Sequence, residues 1–102
     1  MKLLTKEILE DFKKTGSQEN VKDPRIIVKF FNPTGAGYWY ATEYDPEEKI
    51  FFGYAFITDG EFGSFSLEEL ESFKGRFGLG IERDLHFGNQ TRVSEIIKRH
   101  NQ

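Results

Sequence analysis

Residues 38–57 read YWYATEYDPEEKIFFGYAFI and carry the most informative pattern of the chain. Two runs rich in aromatic and β-branched residues flank a short polar segment with a proline, which is typical of a β-hairpin. With residues 45–49 as the loop, Tyr44 lies opposite Ile50, Thr42 opposite Phe52, Glu43 opposite Phe51, and Tyr40 opposite Tyr54. One face of the hairpin is then strongly aromatic: Tyr38, Tyr40, Phe52, Tyr54 and Phe56. Such a ribbon needs further strands or helices to cover it.

The flanking sequence predicts those further elements. Thr5 caps a first helix that runs to about Lys14, and residues 26–31 form an apolar strand. Ser17 to Asp23 is a polar linker. A short strand at 62–65 precedes a helix that Ser66 caps and Gly75 ends, with Leu67, Leu70, Phe73 and Phe77 facing inward. Residues 81–87 form a last strand, and Val93 to His100 a last helix.

These elements predict one domain over residues 1–102 of the α+β class, in the order α-β-β-β-β-α-β-α. The sheet is curved and mostly antiparallel, with about five strands. The three short helices are expected on one face, where the first and last of them cover the aromatic side chains.

Composition excludes several classes of site. The chain has no cysteine, so it has no disulfide and no cysteine-based zinc centre. The net charge of −3 is unevenly distributed: residues 30–72 carry nine acidic groups and one basic group, whereas both ends are mildly basic. An acidic centre disfavours contact with phosphate backbones. No run is long enough to span a membrane, and the first residues lack a signal-peptide core, so we expect a soluble, cytoplasmic protein.

The sequence resembles the domain-of-unknown-function family 2958 over almost its whole length. The matching stretches are residues 1–7 (MKLLTKE), 28–33 (VKFFNP), 39–40, 43–45, 51–53 (FFG), 65–71 (FSLEELE) and 78–87 (GLGIERDLHF). The chain departs where members usually have prolines, at Gly80 and at Gly88-Asn89. The resemblance implies no established activity, and it implies a setting on bacterial plasmids, phages or integrative elements.

Glu82, Asp84 and His86 are the only candidate catalytic or metal-binding set. On an extended strand they share one face, and two carboxylates with an imidazole suit a divalent metal or acid–base chemistry. The alternative is a solvated edge strand whose charges prevent edge-to-edge pairing. Arg83 then points to the other face, among apolar neighbours. A buried arginine needs a carboxylate, and Glu43 is the predicted partner in a structural ion pair.

Three functions follow from these patterns. A non-enzymatic module that binds a protein partner fits the small size and acidic centre, with Tyr40, Glu43, Asp45 and Tyr54 as candidate contact residues. A small metal-dependent enzyme would use Glu82, Asp84 and His86. A nucleic-acid-binding domain would gather the basic residues of the two ends: Lys13, Lys14, Lys22, Arg25, Arg76, Arg92, Lys98 and Arg99. The first is preferred, with no cofactor expected, and the oligomeric state is left open.

Overall fold

The computed structural model describes residues 2–88 and 90–101. The helices are α1 (Lys6–Thr15), α2 (Leu67–Ser72) and α3 (Val93–His100), with a 3₁₀ turn at Arg76–Gly78. The strands are β1 (Val28–Phe31), β2 (Tyr38–Asp45), β3 (Ile50–Phe56), β4 (Gly60–Ser66) and β5 (Glu82–Arg83). They form one open antiparallel sheet in the order β4-β3-β2-β1-β5. The predicted α+β class and element order are confirmed.

Two helices begin at the side chains that the sequence predicts. The Thr5 hydroxyl accepts a hydrogen bond from Ile8 N at 3.1 Å, and the Ser66 hydroxyl accepts one from Glu69 N at 2.9 Å. Each bond satisfies a backbone donor that has no partner inside the helix. The second helix is shorter than predicted, because Phe73 already has an extended backbone and caps its carboxyl end.

The hairpin register agrees with the prediction only up to Ala41. Tyr40 pairs with Tyr54 and Ala41 with Gly53, but Glu43 pairs with Phe52 and Tyr44 with Phe51. Thr42 is therefore an extra residue in β2, a β-bulge, which the alternation rule does not anticipate. The predicted loop at 45–49 is one residue too long, because Asp45 pairs with Ile50. Asp45 Oδ1 accepts from Glu47 N at 3.0 Å and stabilises the shorter loop.

The sheet is covered on both faces, which corrects the expectation of helices on one face. Trp39 and Tyr40 are neighbours on β2, so their side chains point to opposite sides. Trp39 packs in a cluster with Phe12 of α1 and Leu70 of α2, on the side we call the α1 face. Tyr40 packs in a second cluster with Val93 and Ile96 of α3, on the α3 face. The bulge moves Tyr44 to the α1 face, where its ring lies 4.7 Å from that of Phe51.

The last strand is much shorter than the predicted 81–87. Only Glu82 and Arg83 pair with β1, and Asp84 N adds one bond to Lys29 O at 3.0 Å. The chain then turns, because Asp84 Oδ1 accepts a hydrogen bond from His86 N at 2.9 Å, as in an Asx turn. None of the described helices is long and apolar enough to cross a membrane.

Candidate functional site

A groove of about 490 Å³ opens on the α3 face, next to the bulge in β2. Phe52 of β3 and Phe62 of β4 supply apolar surface, and Thr42 and Glu43 lie beside them. The opposite wall is the segment Gln18–Pro24, with Val21 as its apolar residue. Phe62 is 53% exposed, and Phe52 and Val21 are each 43% exposed. A group of neighbouring large apolar side chains that are each about half exposed is typical of an interaction surface.

The bulge creates the acidic side of this groove. Without the extra residue, Glu43 would face the α1 side, opposite Phe51. With the bulge it pairs with Phe52, and residues directly opposite on antiparallel strands share a face. The Thr42 hydroxyl donates to Phe52 O at 3.1 Å and holds the irregular backbone against β3. One inserted residue therefore places a carboxylate beside two exposed aromatic rings.

Buried polar contacts fix the opposite wall of the groove. Gln18 Nε2 donates to Arg25 O at 2.8 Å and to Thr42 O at 2.9 Å, and its Oε1 accepts from Arg25 N at 2.9 Å. At the other end of the wall, Asp23 accepts hydrogen bonds from the backbone and hydroxyl of Ser94, at the start of α3. These two bonds lower the pKa of Asp23. The wall is thus anchored to both β2 and α3.

The charges around the groove are mainly acidic. Glu19 and Glu43 lie in its lining, together with one basic residue, Lys22. An apolar cavity with two carboxylates favours a ligand that combines an apolar side chain with a basic one.

Strand β4 ends the sheet beside this groove. Its inner edge pairs with β3 along all seven residues, and no other strand of the described chain pairs with its outer edge. Glu61 is the only charged residue of this strand, so it lacks most of the charges that usually protect an edge. An extended segment of another chain can add to such an edge through backbone hydrogen bonds.

A second polar cluster joins α3 to the sheet. The Tyr40 hydroxyl and His100 Nε2 lie 2.8 Å apart, and the His100 ring stacks on Phe56 at 4.2 Å between centroids. Burial raises the pKa of Tyr40 far above its ordinary value. Burial, Lys29 and Arg99 lower the pKa of His100, because each disfavours the charged ring. This arrangement holds the end of α3 against the α3 face.

The structure separates the predicted metal-binding residues. Of Glu82, Asp84 and His86, only Glu82 lies in a strand, because the chain turns at Leu85 and His86. The Asp84 carboxylate forms an ion pair instead, with Oδ2 3.4 Å from Lys29 Nζ. Across residues 2–88 and 90–101, no three His, Asp or Glu side chains are placed to share a metal ion. The predicted set therefore does not form one face.

The predicted ion pair between Arg83 and Glu43 is likewise not formed. Arg83 pairs with Phe30, whose side chain lies on the α1 face, whereas Glu43 lines the groove on the α3 face. Arg83 Nη1 instead donates to Lys2 O. The sequence argument assumed an unbulged β2, which would have put both residues on the same side.

The four predicted contact residues divide into two groups. Tyr40 and Tyr54 are 2% and 5% exposed beneath α3, so their rings are not presented to a partner. Glu43 lines the groove, and Asp45 is exposed at the hairpin loop. The basic residues proposed for nucleic acid are spread over both faces: Lys13 and Lys14 end α1, while Lys98 and Arg99 end α3.

Sequence reasoning missed Gln18, Val21 and Phe62 as site residues. Gln18 and Val21 lie in the segment that reads as a polar linker, and Phe62 lies in a strand with a glycine on either side of the Glu61-Phe62 pair. A signal was present, since Val21 is an isolated apolar residue between polar neighbours. The long-range bond from Gln18 to Thr42 leaves no local pattern.

Comparison with known proteins gives a family but no activity. The chain is 35% identical to Tensin-1 from Mus musculus over 74 residues, which is 72% of this chain and 4% of that protein. No solved structure matches the chain. A family model matches residues 3–102, nearly the full length. The chain therefore belongs to the family described as protein of unknown function DUF2958.

Proposed function

We propose that this protein is a non-enzymatic module that binds a partner protein through the groove and the outer edge of β4. The observation that carries the proposal is the cluster of exposed Val21, Phe52 and Phe62 beside the outer edge of β4, with which no strand of the described residues pairs. The partner segment is extended, and it carries an aromatic or aliphatic residue next to a lysine or arginine.

The alternation of side chains along a strand supports this mode of binding. A segment added to β4 places every second side chain on the α3 face, beside Phe62 and the groove. Backbone bonds to the β4 edge then supply affinity, and the groove supplies specificity for the apolar residue. Glu19 and Glu43 favour a basic neighbour of that residue.

Preorganisation also supports the proposal. Gln18 and Asp23 hold the groove wall through hydrogen bonds before any partner arrives. Binding then orders little of this protein, which reduces the entropic cost of association.

The resemblance to proteins of plasmids, phages and integrative elements supports a cytoplasmic setting for this binding. In that setting the partner is a protein of the host or of the element. Sequencing the DNA that flanks the gene tests this part of the proposal, which predicts genes for transfer, integration or replication nearby.

Selection of short peptides from a random library tests the binding proposal. We expect extended peptides with an apolar residue next to a basic one, which bind with micromolar affinity. Phe62→Ser should weaken their binding at least about tenfold, since truncation of a central anchor typically costs 2 kcal/mol or more. Leu9→Gln is the matched control, because Leu9 is also an exposed apolar residue but lies on α1. Peptides that bind both variants equally, or a library that yields none, would contradict the proposal.

A further inference from the structure

The loop between α2 and β5 presents Phe77 to solvent on a fixed turn. The side chain was predicted to face inward, but the helix ends at Ser72 and Phe77 is 92% exposed, with a backbone of φ 60° and ψ 19°. A left-handed backbone is rare for a bulky residue, and strained residues of this kind cluster at functional sites. The turn is ordered by bonds from Gly75 N to Leu79 O (2.7 Å) and from Leu79 N to Arg76 O (3.1 Å).

The neighbours of this ring are basic and apolar. Lys74 and Arg76 are exposed on either side of Gly75, and Leu79 is partly exposed beyond the turn. We call residues 74–79 the tip. An exposed aromatic ring next to an arginine is the composition of an interface anchor. The receptor that fits it is an apolar cavity with carboxylates at its margin.

The groove of this same protein has those properties. Val21, Phe52 and Phe62 line it with apolar surface, and Glu19 and Glu43 supply two carboxylates. Its volume of about 490 Å³ leaves room for a phenyl ring with part of the arginine side chain. The charges and the apolar surfaces of the tip and the groove are therefore complementary.

The tip and the groove are separate parts of the surface, because none of residues 74–79 lines the groove. The tip rests on the loop before β2, where a Cβ added to Gly75 would lie 2.7 Å from Thr34 Oγ1. The groove begins at Thr42 and Glu43, near the other end of β2. The six residues from Tyr38 to Glu43 alone span about 17 Å along an extended strand.

We propose that the tip of one copy inserts Phe77 into the groove of a second copy, with Arg76 beside Glu43. This inference rests on the proposed function, because it uses the same groove. The tip is a turn, so it fills the groove without pairing with the edge of β4. The contact joins two different surfaces, so it is heterologous and produces head-to-tail chains or rings. The tip is small, and the association is weak and depends on concentration.

Sedimentation velocity with separate tip and groove variants tests the inference. Wild type should have a weight-average mass that at least doubles between about 10 μM and about 1 mM, the range of weak contacts. Phe77→Asn removes the ring and Phe62→Ser removes the groove surface, so each variant alone should sediment as an 11.9 kDa monomer. An equimolar mixture should form dimers and nothing larger, because each variant still has one intact surface.

Charge reversal at exposed Arg76 and half-buried Glu43 gives an independent test. Arg76→Glu and Glu43→Arg should each weaken self-association, and the double variant should restore it. Wild type that stays monomeric at about 1 mM, a mixture that forms no dimer, or a double variant weaker than both single variants would overturn the inference. Circular dichroism of each variant confirms that it is folded.

The inference and the proposed function fail in different ways. Phe77→Asn keeps the groove intact, so it is the background in which selected peptides are measured. If it binds peptides while wild type is monomeric, the inference is wrong and the function stands. If wild type associates but Phe62→Ser does not reduce the association, the inference is wrong, and the peptide measurement on Phe77→Asn decides the proposed function separately.

Discussion

Replacing Gln18 with glutamate removes the two donors that hold the groove wall against β2. In wild type, Gln18 Nε2 donates to Arg25 O and Thr42 O, and Oε1 accepts from Arg25 N. The introduced carboxylate keeps the accepted bond but sets an oxygen against two carbonyl oxygens. Two lost bonds cost about 1 kcal/mol each, and unpaired buried acceptors cost about 1–3 kcal/mol more. We expect Gln18→Glu to lower the free energy of unfolding by about 3–5 kcal/mol at pH 7.

This deficit should depend on pH. Burial and the two carbonyl groups disfavour the charged form of the introduced carboxyl, so its pKa in the folded state rises above the unfolded value of about 4.3. The folded state then binds the proton at a higher pH than the unfolded state does. The stability of the variant relative to wild type should therefore increase as the pH falls toward 4.3.

Urea denaturation at pH 7.5 and pH 5, followed by the fluorescence of Trp39, measures both effects. Glu19→Gln is the matched control, because Glu19 is the exposed neighbour of Gln18, and we expect it to change stability by less than about 0.5 kcal/mol. A Gln18→Glu midpoint equal to that of wild type, or a deficit that is the same at both pH values, would refute the assignment of these hydrogen bonds.

Two further predictions concern the sheet and α3. A Cβ on Gly53 would lie 2.0 Å from Tyr40 O, so Gly53→Ala should destabilise the protein by about 3 kcal/mol. Gly63 lies directly opposite Gly53 on β4, and a Cβ there would meet open space. Gly63→Ala should therefore cost less than about 1 kcal/mol in the same urea assay. The pKa of His100 is lowered by burial, Lys29 and Arg99, so the unfolded state takes up the proton first as the pH falls through about 6.5. Wild type should therefore lose stability from pH 7 to pH 5.5, and His100→Gln, which leaves the neighbouring Tyr38 and Tyr40 in place, should show a flatter profile. Equal costs for the two glycine variants, or parallel pH profiles, would contradict these assignments.

The fold was predictable where local chemistry determines it. Thr5 and Ser66 cap their helices as the sequence indicates, since a hydroxyl before a helix serves backbone donors within the same turn. Such a cap needs no information from distant parts of the chain. The pairing of Tyr40 with Tyr54 was predicted from a loop at residues 45–49, and it is correct because the extra residue Thr42 offsets the one residue by which that loop was too long.

The bulge at Thr42 could not be predicted, and it accounts for the misplaced Glu43 and for the absence of its predicted pairing with Arg83. Its stabilising contact comes from Gln18, which is 24 residues away, so no local pattern marks it. Past this point every side chain of β2 changes face. Glu43 therefore lines the groove instead of meeting Arg83, and Tyr44 joins Phe51 on the α1 face.

The last strand was predicted to be longer than it is, because a local turn signal was overlooked. The alternation at residues 81–87 suited an extended strand, but the Asp84 carboxylate bonds His86 N and turns the chain. Aspartate competes with strand pairing in this way through a local backbone hydrogen bond. The candidate metal-binding face depended on a strand that ends at Arg83.

The location of bound peptide is the most direct test of the binding proposal. Uniformly labelled Phe77→Asn protein, which has an intact groove, is titrated with a selected peptide and followed by amide chemical shifts in NMR. The account predicts shifts at Val21, at Phe52 and along β4, with loss of solvent exchange at the outer amides of that strand. Shifts confined to α1 or β5 would contradict it.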